Sequence, residues 1–333
     1  MTIQSQFDCT ESRVDERLSL LHNWVATILP STTFHIVSLA GDASFRRYFR
    51  VIANDRRYVV MDAPPALENC QPFVAIANAF QSSSVRMPDI IAFDLSQGFL
   101  LLSDFGDQQL LPILNDDSAD ALYRSAIDVL MQMQRCDVTA NYALPHFDDA
   151  QYWREFDIFF TWYVQKHQQK NISLHEETEL KKYYQLLIDS ALEQPAVFVH
   201  RDYHSRNIML CEDGGLGILD FQDALHGPVT YDLVSLLRDC YIAWPQSQVE
   251  AWIYYFYEKQ IQENALFSAD FSTFLRWFDW MGLQRHLKCL GIFSRLYYRD
   301  QKSGYLKDIP RVHNYALSIC DRYSELAGLK KFL

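Results

Sequence analysis

The sequence predicts an α+β fold in two lobes, an N-terminal antiparallel sheet with a helix and a mainly helical C-terminal part. Three observations predict it. Short apolar runs divided by turn residues fill the first hundred positions. From about residue 117 the apolar period becomes that of amphipathic helices. At 333 residues, with 49% hydrophobic and 22% charged, the chain can bury a sizeable core divided between two parts.

The elements follow in order. Residues 12–29 read as a helix behind a Ser12 cap, with Val14, Leu18, Leu21, Val25 and Ile28 at helical spacing. Residues 34–40, 48–53 and 58–61 read as strands, and Asn54-Asp55 supplies a hairpin turn. A helix over 70–82, containing Pro72, interrupts the sheet before strands at 89–95 and 98–103. Helices are expected at 117–135, 149–168, 174–192, 231–240, 247–263, 270–298 and 311–327, around a strand-and-loop segment at 196–223. The expected division is an N-terminal lobe over 1–103, a linker over 104–115 and a C-terminal lobe over 116–333. No repeat or long linker separates them, so two lobes sharing a cleft are expected.

The strand-and-loop segment carries the chemistry. His200-Arg201-Asp202-Tyr203-His204-Ser205-Arg206-Asn207 reads H-R-D-x-x-x-x-N, and Asp220 follows an apolar strand thirteen residues after Asn207. Kinase-type phosphoryl transfer uses these parts, with Asp202 beside the attacking hydroxyl and Asn207 and Asp220 as magnesium ligands. Magnesium selects hard oxygen donors, which this set provides. The motif lies between apolar runs at 196–199 and 208–211, with a turn at 212–215 and another strand ending at Asp220. A surface loop holding His, Asp and Asn for structural reasons requires neither this order nor this context.

On the nucleotide side, Gly41-Asp42-Ala43-Ser44-Phe45-Arg46-Arg47 joins the first two strands. Gly41, Asp42, Ser44 and Phe45 are candidates to cover phosphates through backbone N–H groups. Met61 occupies the position where a kinase strand carries Lys, and Arg46 or Arg47 is expected to supply the missing charge. Asp104-Phe105-Gly106 spells D-F-G, but it precedes the catalytic loop. Ser103, Asp104 and Phe105 are therefore read as adenine-side residues at the lobe junction, not as the metal site.

Composition excludes other classes. A net charge of −12 disfavours nucleic-acid and anionic-membrane binding. The seven cysteines are scattered and never spaced C-x-x-C, which fits reduced thiols in a cytoplasmic protein. There is no basic, apolar leader and no 18-residue apolar run. Neither a membrane nor an obligate protein partner is expected.

These motifs resemble those of the aminoglycoside phosphotransferase-like, or choline-kinase-like, small-molecule kinases. The resemblance rests on residues 197–207, on 219–224 and on Gly227-Pro228-Val229-Thr230-Tyr231-Asp232-Leu233. It implies a protein-kinase-like fold, ATP, Mg2+ and a small hydroxylated substrate, with Asp202 as base and Asn207 and Asp220 on the metal. Within the group, residues 41–50, 61–65, 231–241 and 281–296 resemble the bacterial anomeric kinases of cell-wall recycling, which act on amino sugars. Met61 is typical of that branch. Asp232 is expected to brace the catalytic loop.

Arg276, Arg285, His286, Lys288, Arg295 and Arg299 make residues 270–299 basic in an acidic chain. Arg285 and His286 interrupt an apolar stretch and are the candidates for a sugar carboxylate, which Arg matches in shape. Solvated or paired charges are the other reading of that face. Trp277 and Trp280 are read as core rather than sugar-stacking residues. His204, Arg206 and Asp223 are further substrate candidates. An aminoglycoside kinase and a non-catalytic ATP-binding scaffold remain as alternatives; the basic stretch opposes the first, and the intact Asp202, Asn207 and Asp220 oppose the second.

Overall fold

The structure is a computed structural model and describes residues 15–30, 33–39, 45–136, 142–264 and 267–333. It contains two compact units, one of Met1–Cys70 with Ile90–Asp104, the other of Gln71–Asp89 with Phe105–Leu333.

The smaller unit is a five-stranded antiparallel sheet and one helix. The helix, α1, is Glu16–Ile28, and the strands are β1 Phe34–Ser38, β2 Arg47–Ala53, β3 Arg56–Asp62, β4 Ile90–Asp94 and β5 Phe99–Ser103, in the order β1-β2-β3-β5-β4. Ser12 lies outside the described residues, and the cap of α1 is Asp15, whose carboxylate accepts the Leu18 N–H at 3.1 Å. Asn54 takes φ +52° in the β2–β3 turn, a conformation Asn tolerates better than most residues. Leu21 and Val25 of α1 pack on Phe49, Val51, Val60, Phe99 and Leu101. Each such side chain contributes about 1.5–3 kcal/mol by leaving water. Asp62, fully buried, accepts Arg17 Nε and Arg47 Nε, each at 2.9 Å. A buried carboxylate needs such partners, and they tie α1 and β2 to β3.

The larger unit is mainly helical: α2 Gln71–Phe80, α3 Ala119–Arg135, α4 Asp149–Ile158, α5 Leu174–Leu192, α6 Tyr231–Leu237, α7 Gln246–Glu263, α8 Phe271–Tyr298 and α9 Ile309–Arg322. Two short antiparallel pairs lie among them: β6 Ala196–Val199 with β9 Leu225–Pro228, and β7 Ile208–Leu210 with β8 Leu216–Ile218. The helix α2, expected within the sheet lobe, packs here, with Phe73 on Phe221 and Phe80 on Phe198 at ring distances of 4.6 and 5.2 Å. The expected linker belongs to this unit from Phe105 onward, and in it the Leu110 and Leu111 N–H groups donate to the Ile208 and Ser205 carbonyls.

Two expected helices are interrupted. The 149–168 helix widens to π-helical turns at Phe159–His167, and α8 crosses at that junction. A Cβ on Gly291 would lie 2.6 Å from the Ile158 carbonyl oxygen, so only glycine permits the approach. The 311–327 helix stops at Arg322 and continues as 3-10 turns over Ser324–Phe332. Most of α8 beyond its first turn is buried, including Asp279, Gln284, Arg285, His286 and Lys288. Among the described residues no helix is long and apolar enough to cross a membrane.

Candidate active site

The loop between β6 and β7 is held from beneath by distant carboxylates. Asp232, in the first turn of α6, accepts the His200 N–H at 2.6 Å and the Arg201 N–H at 3.0 Å. Asp239 accepts both the N–H and the hydroxyl of Ser205, at 3.0 and 2.5 Å. Tyr203 is buried and donates its hydroxyl to the Ala126 carbonyl at 2.8 Å. His200 is fully buried; its Nε2 meets the Leu219 carbonyl at 2.9 Å, and its Nδ1 accepts the Asp202 N–H at 3.3 Å. Burial depresses the imidazole to about 4, which agrees with this neutral, single-tautomer role.

Two residues of the site leave the usual backbone regions. Arg201 has φ +77° and Asp220 has φ +64°. Each conformation costs on the order of 1–2 kcal/mol for a residue with a Cβ. The two N–H bonds to Asp232 offset this cost at the 200–201 corner.

The loop brings Asp202, Asn207 and Asp220 together. Asn207 is buried, and its Nδ2 donates to the Asp202 carbonyl at 3.0 Å and approaches Asp220 Oδ2 at 3.4 Å. The Leu219 N–H donates to the Asn207 carbonyl at 2.9 Å, which fixes the two metal candidates side by side. With the amide nitrogen committed, Asn207 Oδ1 and the Asp220 carboxylate form a hard oxygen pair. No group of three or more His, Cys, Asp or Glu among the described residues forms a closed metal cage. The pair fits magnesium, which usually keeps waters and substrate phosphates as its other ligands. Gln222 Nε2 donates to Asp220 Oδ1 at 2.7 Å and orients that carboxylate.

Cations surround Asp202 in a chain of net charge −12. Burial raises its carboxyl, but Lys288, His204, Arg285 and Arg201 together bring it down to about 2. Lys288 is 2.9 Å from Glu155 and donates to the Tyr231 hydroxyl at 3.0 Å. Arg201 reaches the same Glu155 at 3.3 Å, and Gln284 donates to it at 2.8 Å. Burial raises the Glu155 carboxyl, and the Lys288 and Arg201 charges overcome this and hold it below its ordinary value.

The other sequence candidates have varied placements. Gly41, Asp42 and Ser44 lie outside the described residues. Phe45 is exposed, and its N–H reaches Glu68 at 3.3 Å. Arg46 pairs with Glu68 at 2.9 Å, whereas Arg47 is engaged by Asp62 and Asp15. Ser103 ends β5. Asp104 is bound by Arg50 at 2.6 Å and lies outside the catalytic loop. Phe105 packs against Gly217, where a Cβ would come within 2.5 Å of its ring. Arg206 stacks 3.6 Å over the Tyr241 ring, His204 meets that ring edge-on at 5.3 Å, and Asp223 is exposed.

The expected basic surface of residues 270–299 is largely dispersed. Arg276 pairs with Glu193, Arg299 with Asp300, and Lys288 with Glu155. His286 is fully buried, stacks on Tyr315 at 4.9 Å and bonds the Arg238 carbonyl at 3.0 Å. Arg285 is also buried, but its charge acts on Asp202. Sequence reading missed the parts played by Glu155, Asp239 and Tyr241. Asp239 had a signal, since Arg238-Asp239 closes an otherwise apolar helix.

An ionised carboxylate among cations, Asp202, close to an oxygen pair suited to a hard cation, is an arrangement that fits a phosphotransferase on this fold. The chain belongs to the phosphotransferase enzyme family, whose sequence profile matches residues 35–262. It is 43% identical over 331 residues to a Pseudomonas aeruginosa protein named N-acetylmuramate/N-acetylglucosamine kinase, with 96% of each chain covered. A Pseudomonas putida protein of the same name is 45% identical over 298 residues, covering 90% of this chain and 87% of that one. Solved structures show the same protein-kinase-like fold. An ethanolamine kinase of Plasmodium vivax matches with a TM-score of 0.63 at 12% identity, covering 92% of this chain and 89% of that one. A choline kinase of Streptococcus pneumoniae also matches at 0.63 and 12%, covering 91% and 99%.

Proposed function

We propose that this chain transfers the γ-phosphoryl group of ATP to the anomeric (C1) hydroxyl of N-acetylmuramate and N-acetylglucosamine, a step of peptidoglycan recycling. The observation that carries the reading is the link from Asn207 Nδ2 to Asp202 at 3.0 Å and to Asp220 at 3.4 Å. These bonds, the first to the Asp202 backbone carbonyl, support reading Asp202 as a base close to a metal pair of Asn207 and Asp220, as in-line transfer requires. The relatives' names supply the sugar.

Asp202 accepts the C1 hydroxyl proton as the oxygen–phosphorus bond forms and the bond from phosphorus to the ADP oxygen breaks. Mg2+ held by Asn207 and Asp220 would neutralise charge on the phosphates. Arg46, braced by Glu68, is the candidate replacement for the cation absent at Met61. Gly41, Asp42, Ser44 and Phe45 are the candidates for phosphate contact, and Ser103, Asp104 and Phe105 are those for adenine. His204, Arg206 and Asp223 are the candidates for sugar contact. Arg285 acts through its charge on Asp202.

The test is ADP release with ATP and Mg2+ on N-acetylmuramate, N-acetylglucosamine and kanamycin, with Asp202→Asn as control. Turnover on the amino sugars that disappears in the variant is expected. Turnover on kanamycin alone would move the substrate to aminoglycosides, and nucleotide binding without turnover on any of them would favour a scaffold.

A further inference from the structure

The catalytic loop holds a cation whose charge no carboxylate answers. Within residues 202–207, Tyr203, Ser205 and Asn207 are buried, whereas Asp202, His204 and Arg206 are partly exposed. The Arg206 guanidinium is stacked 3.6 Å over the centre of the Tyr241 ring, which His204 meets edge-on at 5.3 Å. Among the described residues that ring is its partner, and no carboxylate pairs with it. The other cations of the site are engaged: Arg201 and Lys288 both meet Glu155, at 3.3 and 2.9 Å.

Arg206 is also held in place. Its carbonyl accepts Gln109 Nε2 at 3.0 Å. On one side Asp239 accepts the N–H and hydroxyl of Ser205, and on the other the Asn207 N–H donates to the His204 carbonyl at 2.9 Å. The Tyr241 N–H donates to the same Asp239 at 2.9 Å, and its ring leans on Phe293 with centres 6.4 Å apart. Loop and ring thus share one anchor, so Arg206 has little freedom left to lose on binding a ligand. Stacking occupies a face of the guanidinium and leaves its N–H edge, a planar fork that matches a carboxylate.

The two sugars of the kinase reading differ in one group. N-acetylmuramate carries a lactyl ether ending in a carboxylate where N-acetylglucosamine has a hydroxyl. A chain of net charge −12 repels an anion at long range, so taking the acidic sugar calls for a local cation near the acceptor hydroxyl. Arg206 stands four residues after Asp202 and directly before Asn207. We propose that Arg206, stacked on Tyr241, binds the carboxylate of N-acetylmuramate and so sets the preference for the acidic sugar over N-acetylglucosamine. The identity of the sugars rests on the kinase reading; the contrast between them at this residue can be measured without turnover.

The test measures binding of both sugars by calorimetry, without nucleotide, to wild type, Arg206→Gln and Arg206→Lys, followed by kcat/KM for each. Gln removes the charge-assisted fork, so the ratio of N-acetylmuramate to N-acetylglucosamine affinity should fall roughly 30-fold. Lys keeps the charge without the fork and should retain part of the ratio. Added salt should weaken wild-type binding of the acidic sugar more than that of the neutral one. An unchanged ratio in Arg206→Gln overturns the proposal. So does an equal loss on both sugars, which would assign Arg206 to the phosphates or to the loop itself, and so does wild type that binds neither sugar. Binding with the expected ratio but no turnover by wild type would sink the kinase reading and leave the carboxylate site standing.

Discussion

Asp232→Asn tests how the catalytic loop is held. Asp232 accepts the N–H groups of His200 and Arg201 at 2.6 and 3.0 Å. Bonds to a charged acceptor contribute about 1.5–3 kcal/mol each. Asn keeps one acceptor oxygen and turns an N–H donor toward the other amide, so about 2 kcal/mol is lost there. Arg201, at φ +77°, then keeps a backbone costing about 1–2 kcal/mol with half its support. That backbone cost is common to both proteins, so the change is the lost bond of about 2 kcal/mol, which corresponds to roughly a 30-fold smaller share of molecules with Asp202 in place. The assay is kcat/KM for ADP release at about pH 8, above the value of about 7 to which burial pushes Asp232 against its two N–H bonds. ATP affinity should change little. A kcat/KM within about threefold of wild type would refute the bracing argument.

Further predictions follow from the surrounding contacts. Lys288 is the strongest of the charges opposing burial at Asp202, whose depressed carboxyl is ionised above about 2 and loses that state as pH falls through it. Lys288→Met should therefore shift the acid limb of kcat upward by roughly 1 unit, as a pH–rate profile will record. The same depression stabilises the fold above the ordinary carboxylate value, and this contribution fades as pH falls toward about 2. Asp279 is fully buried, paired with Arg238 at 2.5 Å and bonded by the Tyr323 hydroxyl at 2.7 Å. Asp279→Ala should cost about 3–5 kcal/mol in urea unfolding while leaving the KM for ATP unchanged. Arg46→Gln should raise the KM for ATP about tenfold through a lost charge-assisted contact. Arg47→Gln, which removes one of the two arginines on buried Asp62 and the cation beside Asp15, should instead lower the thermal midpoint.

How far the site was legible depended on the reach of each constraint. Asp202, Asn207 and Asp220 could be picked out as one group, which the structure does bring together, because kinase-type chemistry calls for these residue types in this order within a short span. The catalytic loop's supports could not be read equally well. Asp239 and Tyr241 lie over thirty residues away, and Glu155 and Lys288 meet only through packing of α4 on α8. Asp232 was anticipated as a brace through the resemblance. His286 illustrates the limit on the other side: a polar residue interrupting an apolar helix suggests a ligand face, but α8 is buried nearly all round, so polar positions there serve internal partners. The helix α2 was found by periodicity, yet periodicity does not say which unit its apolar face joins. The strand β9, Leu-His-Gly-Pro in sequence, lacks any β pattern and exists because β6 pairs with it.

The most direct test of the central claim is phosphorus NMR of the product formed from ATP and N-acetylmuramate by wild type and by Asp202→Asn. The account predicts a phosphate coupled to the anomeric proton from wild type and no such signal from the variant under equal loading with nucleotide. A phosphate on another hydroxyl, or the same product from both proteins at similar rates, would contradict it.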